Sequence, residues 1–79
     1  MDLDLGREYG EQPISQRMQE LGLTNHDLVE KSTEQLTHKM VTKAKSGRWL
    51  SMRVRLKVQN AFNKASGQNL TLADLFNYS

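Results

Sequence analysis

The chain has 79 residues, no cysteine, and a formal net charge of +2 from 11 basic and 9 acidic side chains. That length allows one small domain with a limited core, and the lack of Cys excludes disulfides and thiolate zinc sites and fits a reducing compartment. No apolar run is long enough to cross a membrane, and the acidic start Met1-Asp2-Leu3-Asp4 is unlike a secretory signal, so the expectation is a soluble, cytoplasmic protein without a membrane partner.

Residues 1–13 read as a flexible acidic N-terminal arm. They hold Asp2, Asp4, Glu8 and Glu11, two Gly and the only Pro, without a helical apolar period. The pattern changes at Ile14. Ile14, Met18 and Leu21 recur at i, i+4 and i+7, which predicts a first helix over about 14–21. Pro13 suits its first turn and Gly22 its stop.

Thr24 is a helix N-cap, with Asp27 three residues on to complement the free N–H groups. Leu28 and Val29 form the buried side of this short second helix, which ends near Ser32-Thr33. Thr37 is the next N-cap. Behind it Met40, Val41 and Ala44 make a narrow apolar stripe, and Ser46-Gly47 ends the third helix, about 37–46.

The following segment supports two readings. Met52, Val54, Leu56 and Val58 alternate with Arg53, Arg55 and Lys57, as in a half-buried strand with a basic face. Val54, Val58, Ala61, Phe62 and Ala65 instead continue at helical spacing, with Ser51 as N-cap and Gly67 as stop. One helix over 52–66 absorbs both patterns and is favoured, because no turn residue separates them. Last, Thr71 and Asp74 resemble a capping box, with Leu72, Leu75 and Phe76 as a short apolar helix that closes the core.

Charge is segregated along this layout. Residues 35–64 carry eight Lys/Arg and no Asp/Glu, while the rest carries three basic and nine acidic residues. A +8 block beside −6 attracts a polyanion, and a merely solvated face usually mixes signs.

Five short helices with a basic third one form the layout of a helix-turn-helix domain. Leu23-Thr24-Asn25-x-x-Leu28-Val29, the run from Thr37 to Arg48, and Leu70 to Phe76 resemble the lambda-repressor-like (Cro/repressor, Xre-type) family of bacterial DNA-binding domains. The resemblance runs from Ile14 to Phe76, all but the arm, and implies a helix-turn-helix domain over residues 14–79. It departs from the family at Ser32-Thr33-Glu34-Gln35, which is longer than the usual interhelical turn. It departs again at Ala44-Lys45, where the family has Trp-Glu. The fold it implies is all-α, a compact five-helix helix-turn-helix domain.

A helix of this kind reads base edges in the major groove. With Met40, Val41 and Ala44 inward, Thr37, His38, Lys39, Thr42 and Lys43 become candidate base contacts, the resemblance favouring Lys39, Thr42 and Lys43. Thr24, Asn25, Lys45, Arg48, Arg53 and Arg55 are candidate phosphate contacts. The implied partner is double-stranded DNA, and the implied role a sequence-preferring bacterial transcriptional regulator, usually a homodimer. The alternative is a protein-interaction module, such as an antitoxin or adaptor, whose basic face meets an acidic partner. RNA is a third candidate, disfavoured because only five aromatics exist and Phe62 and Phe76 read as buried. No catalytic residue, cofactor or metal site is expected. His26 and His38 stand twelve positions apart without a carboxylate cluster, and no nucleophile–base pair or phosphate loop occurs. Trp49 is expected as a plug between the third and fourth helices.

Overall fold

The computed structural model describes residues 9–78. Among them the regular elements are five α-helices: α1 Pro13–Leu21, α2 Asn25–Lys31, α3 His38–Ser46, α4 Met52–Ser66 and α5 Leu72–Leu75. The segment that alternates over Met52–Val58 is helical, because α4 runs unbroken through it. The five helices together make the fold all-α.

Local chemistry sets nearly every boundary. Pro13 opens α1, and Gly22, at φ 70°, ends it by donating its N–H to Gln19 and Met18 carbonyls. Thr24 and Asp27 form a reciprocal capping box at α2, and Thr71 and Asp74 form another at α5. Thr37 accepts the Met40 N–H at α3, and Ser51 accepts the Val54 N–H at α4. Gly47 and Gly67 supply the left-handed residue after α3 and α4.

The longest helix, α4, packs against α2, α3 and α5, while α1 packs on α3 and α5. Ile14, Met18, Leu28, Val41, Val58 and Phe62 meet in the core with at most 1 % of their surface exposed. Leu36 is buried too, and pins the 32–37 connection between α2 and α3. The connection into α5 is held from α4: the Gln59 and Asn63 amides both donate to the Leu70 carbonyl, at 2.9 and 3.1 Å.

Two polar anchors complete the fold. Gln12 is 1 % exposed. Its Oε1 accepts the Asn77 N–H at 2.7 Å, and its Nε2 donates to the Gly10 carbonyl at 2.9 Å. The Tyr9 and Gln12 N–H groups donate to the Gly47 and Lys45 carbonyls, at 2.8 and 3.0 Å. Residues 9–12 therefore belong to the folded body. The arm expected over 1–13 is shortened accordingly, and its first eight residues lie outside the described ones. The second anchor is Tyr78, whose hydroxyl accepts the Leu50 N–H and donates to the Arg48 carbonyl, both at 3.2 Å.

Candidate nucleic-acid interface

The surface of interest is α3 with its two flanks. Val41 and Ala44 are fully buried and Met40 packs partly against the core, so α3 has one fixed side. Thr37, His38, Lys39 and Thr42 are exposed, and Lys43 and Lys45 are half-buried. No acid lies on α3, and among the described residues no ion pair ties up Lys39, Lys43 or Lys45. The five candidate base contacts thus share one short helix and its cap. Thr37 has a local duty as well, since its Oγ1 accepts the Met40 N–H at 3.1 Å.

The α2 side differs from the expectation of a phosphate seat. The Asp27 carboxylate accepts the Thr24 N–H at 2.8 Å and the Thr24 hydroxyl at 3.1 Å. Those hydrogen bonds, the backbone one first, hold the Asp27 carboxyl below its ordinary value. A carboxylate therefore sits where an anion was expected, and it uses the donors of Thr24. Asn25 is half-buried and donates from Nδ2 to the Thr42 hydroxyl at 2.9 Å, joining α2 to α3. Beside that bond the His26 and His38 rings stack with centroids 6.0 Å apart, and His26 Nε2 lies 3.9 Å from Glu30 Oε1.

On the α4 side Arg53 is exposed and Arg48 half-exposed, as phosphate contacts require. Arg55, expected in the same role, is corrected by its burial. It is 7 % exposed, its Nε donates to the Leu50 carbonyl at 3.1 Å, and its guanidinium lies 5.0 Å from the centre of the Tyr78 ring. The hydrogen bond and the ring face satisfy a charge that burial would otherwise penalise. Arg55 is thus a structural cation. The alternation Arg53-Val54-Arg55 hid this, because it reads both arginines onto one face. The helical turn puts Arg55 three residues before the buried Val58.

Trp49 departs from its expected place as well. It is 42 % exposed, and its neighbour Leu50, at 7 %, is the residue that joins the core. Sequence reasoning also missed Gln12 as an anchor, and left open whether Asn77-Tyr78 tucks against the core or is a free tail. The one available signal for Tyr78 was an aromatic residue close behind an apolar helix. Comparison with protein-family models, with curated proteins and with solved structures found no match to this chain.

Proposed function

We propose that the chain is a sequence-preferring double-stranded DNA-binding protein of the lambda-repressor-like helix-turn-helix kind, acting as a bacterial transcriptional regulator. The observation that carries the reading is the division of α3. Val41 and Ala44 fix the helix to the core, while Thr37, His38, Lys39 and Thr42 stand in solvent within thirty residues that hold no acid. A helix presented in this way fits the major groove, where lysine and threonine side chains reach base edges. Arg48, Arg53 and Lys45 grip the backbone on the α4 side. Arg55 and Thr24 are left out of the footprint because their polar groups are already engaged. A homodimer would set two such helices one helical turn apart on a duplex, and would add buried area to a small core.

The test is selection from a pool of random duplexes. The expected result is an enriched sequence whose discrimination falls by about 1–3 kcal/mol at one position in Lys39→Ala or Lys43→Ala. A pool that returns no preferred sequence refutes sequence reading. Stronger competition by RNA than by DNA of equal length refutes the duplex-DNA assignment.

A second reading, a protein-interaction module with an acidic partner, draws on a different observation. Trp49, Met52 and Leu56 are exposed apolar side chains amid the basic residues, and apolar surface adds little to a grip on phosphates.

A further inference from the structure

The long connection between α2 and α3 forms one wall of a cleft of about 420 Å³. Residues 60–64 of α4 and the turn at Gln68-Asn69 form the rest. The volume falls within the ~300–1,000 Å³ of small-molecule sites. None of the candidate DNA contacts lines it.

Its walls are held in place by their own hydrogen bonds. The Ser32 hydroxyl donates to the Glu34 carbonyl at 2.8 Å and accepts the Glu34 N–H at 3.1 Å. Asn63 fixes the turn into α5, its Nδ2 donating to the Leu70 carbonyl at 3.1 Å and its Oδ1 accepting the Leu70 N–H at 3.0 Å. Ala61, 1 % exposed, is the floor. Walls ordered in advance reduce the entropy lost on binding.

The groups left free define the ligand. No aromatic ring lines the cleft, and its one apolar side chain is that of Ala61, so a stacking ring or a long alkyl chain finds no partner. Glu34 Oε2 accepts from Asn60 Nδ2 at 3.3 Å, and Lys64 stands one turn beyond Asn60, a rise of ~6 Å. A carboxylate and an ammonium therefore line the same cleft about one turn apart. Among the described residues no ion pair joins them. A simple anion meets repulsion from Glu34, and a simple cation meets it from Lys64, whereas a zwitterion meets neither. The ammonium and carboxylate of an α-amino acid flank one carbon, and charge-assisted contacts of ~2.8 Å on either side carry it across the gap. Its side chain then meets the carboxamides of Gln68 and Asn69, which donate and accept and so suit a polar group.

We propose that this cleft binds a free α-amino acid with a polar side chain, its ammonium on Glu34 and its carboxylate on Lys64. The Glu34 wall leads through the buried Leu36 to Thr37, the cap of α3. A bound amino acid thus ties the connection ahead of α3 to α4.

The test is a titration of the full chain with L-glutamine, followed by the backbone and side-chain amide resonances. Shifts should concentrate at Thr33, Glu34, Asn60, Lys64, Gln68 and Asn69, with a Kd of about 0.1–1 mM for so small a ligand. N-acetyl-L-glutamine, which lacks the ammonium, and L-glutamine α-amide, which lacks the carboxylate, should each bind at least about tenfold more weakly. Glu34→Gln should erase the discrimination against the acetylated compound, and Lys64→Met that against the amide. Both residues are exposed, so the variants keep the fold. Absence of localised shifts up to about 20 mM L-glutamine overturns the proposal. Equal binding of the blocked compounds also overturns it, as does discrimination that survives both substitutions. Each readout is independent of whether the chain binds duplex DNA.

Discussion

Asn25 on α2 and Thr42 on α3 are joined side chain to side chain, the amide Nδ2 donating to the hydroxyl at 2.9 Å. The other end of the same amide, Oδ1, is buried without a hydrogen-bond partner. The two residues are therefore one unit, in which a base-contact candidate is oriented by a phosphate-contact candidate. An orphaned acceptor makes their removal asymmetric. Asn25→Ala deletes the bond and the orphan together and should cost no more than about 0.5–1 kcal/mol. Thr42→Val strands the whole amide and should cost about 1–2 kcal/mol. Urea denaturation of both variants checks the order, and a larger loss at Asn25 contradicts it.

Arg53 and Arg55 stand two positions apart and should separate completely in experiment. Arg55→Ala removes the bond to the Leu50 carbonyl and the cation over Tyr78, and opens a gap in the core. It should cost about 2–4 kcal/mol of stability. Arg53→Ala changes an exposed side chain and should stay within about 0.5 kcal/mol. On the proposed function, Arg53→Ala lowers the salt-dependence slope of duplex binding by about one. Arg55→Ala, compared under conditions where it remains folded, leaves that slope unchanged.

Gly47 is the most crowded of the described glycines. Its φ is 92°, and a Cβ built there would collide with the backbone of Gly10, its carbonyl oxygen closest. Gly67 has a similar φ of 74° but open space around it. Gly67→Ala should therefore cost only the left-handed backbone penalty, about 1–2 kcal/mol. Gly47→Ala should exceed it by about 1–3 kcal/mol, because residues 9–12 must also move. Comparable denaturation midpoints for the two variants would contradict the close approach of Gly10.

Three of the described groups tie stability to pH. Hydrogen bonds from Thr24 and Thr71, backbone first, hold Asp27 and Asp74 below the ordinary aspartate value. Their contribution is present above that value and is lost as pH falls through the lower folded values. Asp27→Asn/Asp74→Asn should make the acid limb of a stability profile shallower. Tyr78 is shifted upward, by burial first, against the opposing effects of the Leu50 N–H bond and Arg55. Its contribution is present below the ordinary tyrosine value of about 10 and is lost as pH rises through the higher folded value. Tyr78→Phe should flatten the alkaline limb. At neutral pH it should also cost about 1–2 kcal/mol, because the Leu50 N–H loses its acceptor.

Much of the helical framework was legible because its causes are local. Thr24, Thr37, Ser51 and Thr71 each cap the helix they precede, and Gly22, Gly47 and Gly67 end the helices they follow. The apolar spacing marked Ile14, Met18, Val41, Ala44, Val58 and Phe62, which are buried, whereas Leu21, in the same series as Ile14 and Met18, is 45 % exposed at the end of α1. The surface was harder to read. The same Asp27 that signalled the start of α2 also occupies the donors assigned to a phosphate.

The sequence by itself determined where the helices begin and end and where positive charge accumulates, since capping, periodicity and composition act over a few neighbouring residues. Only the tertiary structure decided which charges are available. Gln12 and Asn77 are bonded across 65 positions, and Tyr78 lies over Arg55 from the far end of the chain. Those contacts turn an apparent arm into part of the body and an apparent phosphate clamp into a buried cation. They leave Trp49 in solvent where a core plug was expected. Burial depends on what distant elements bring to a surface, and no local pattern around Arg55 or Trp49 carries that information.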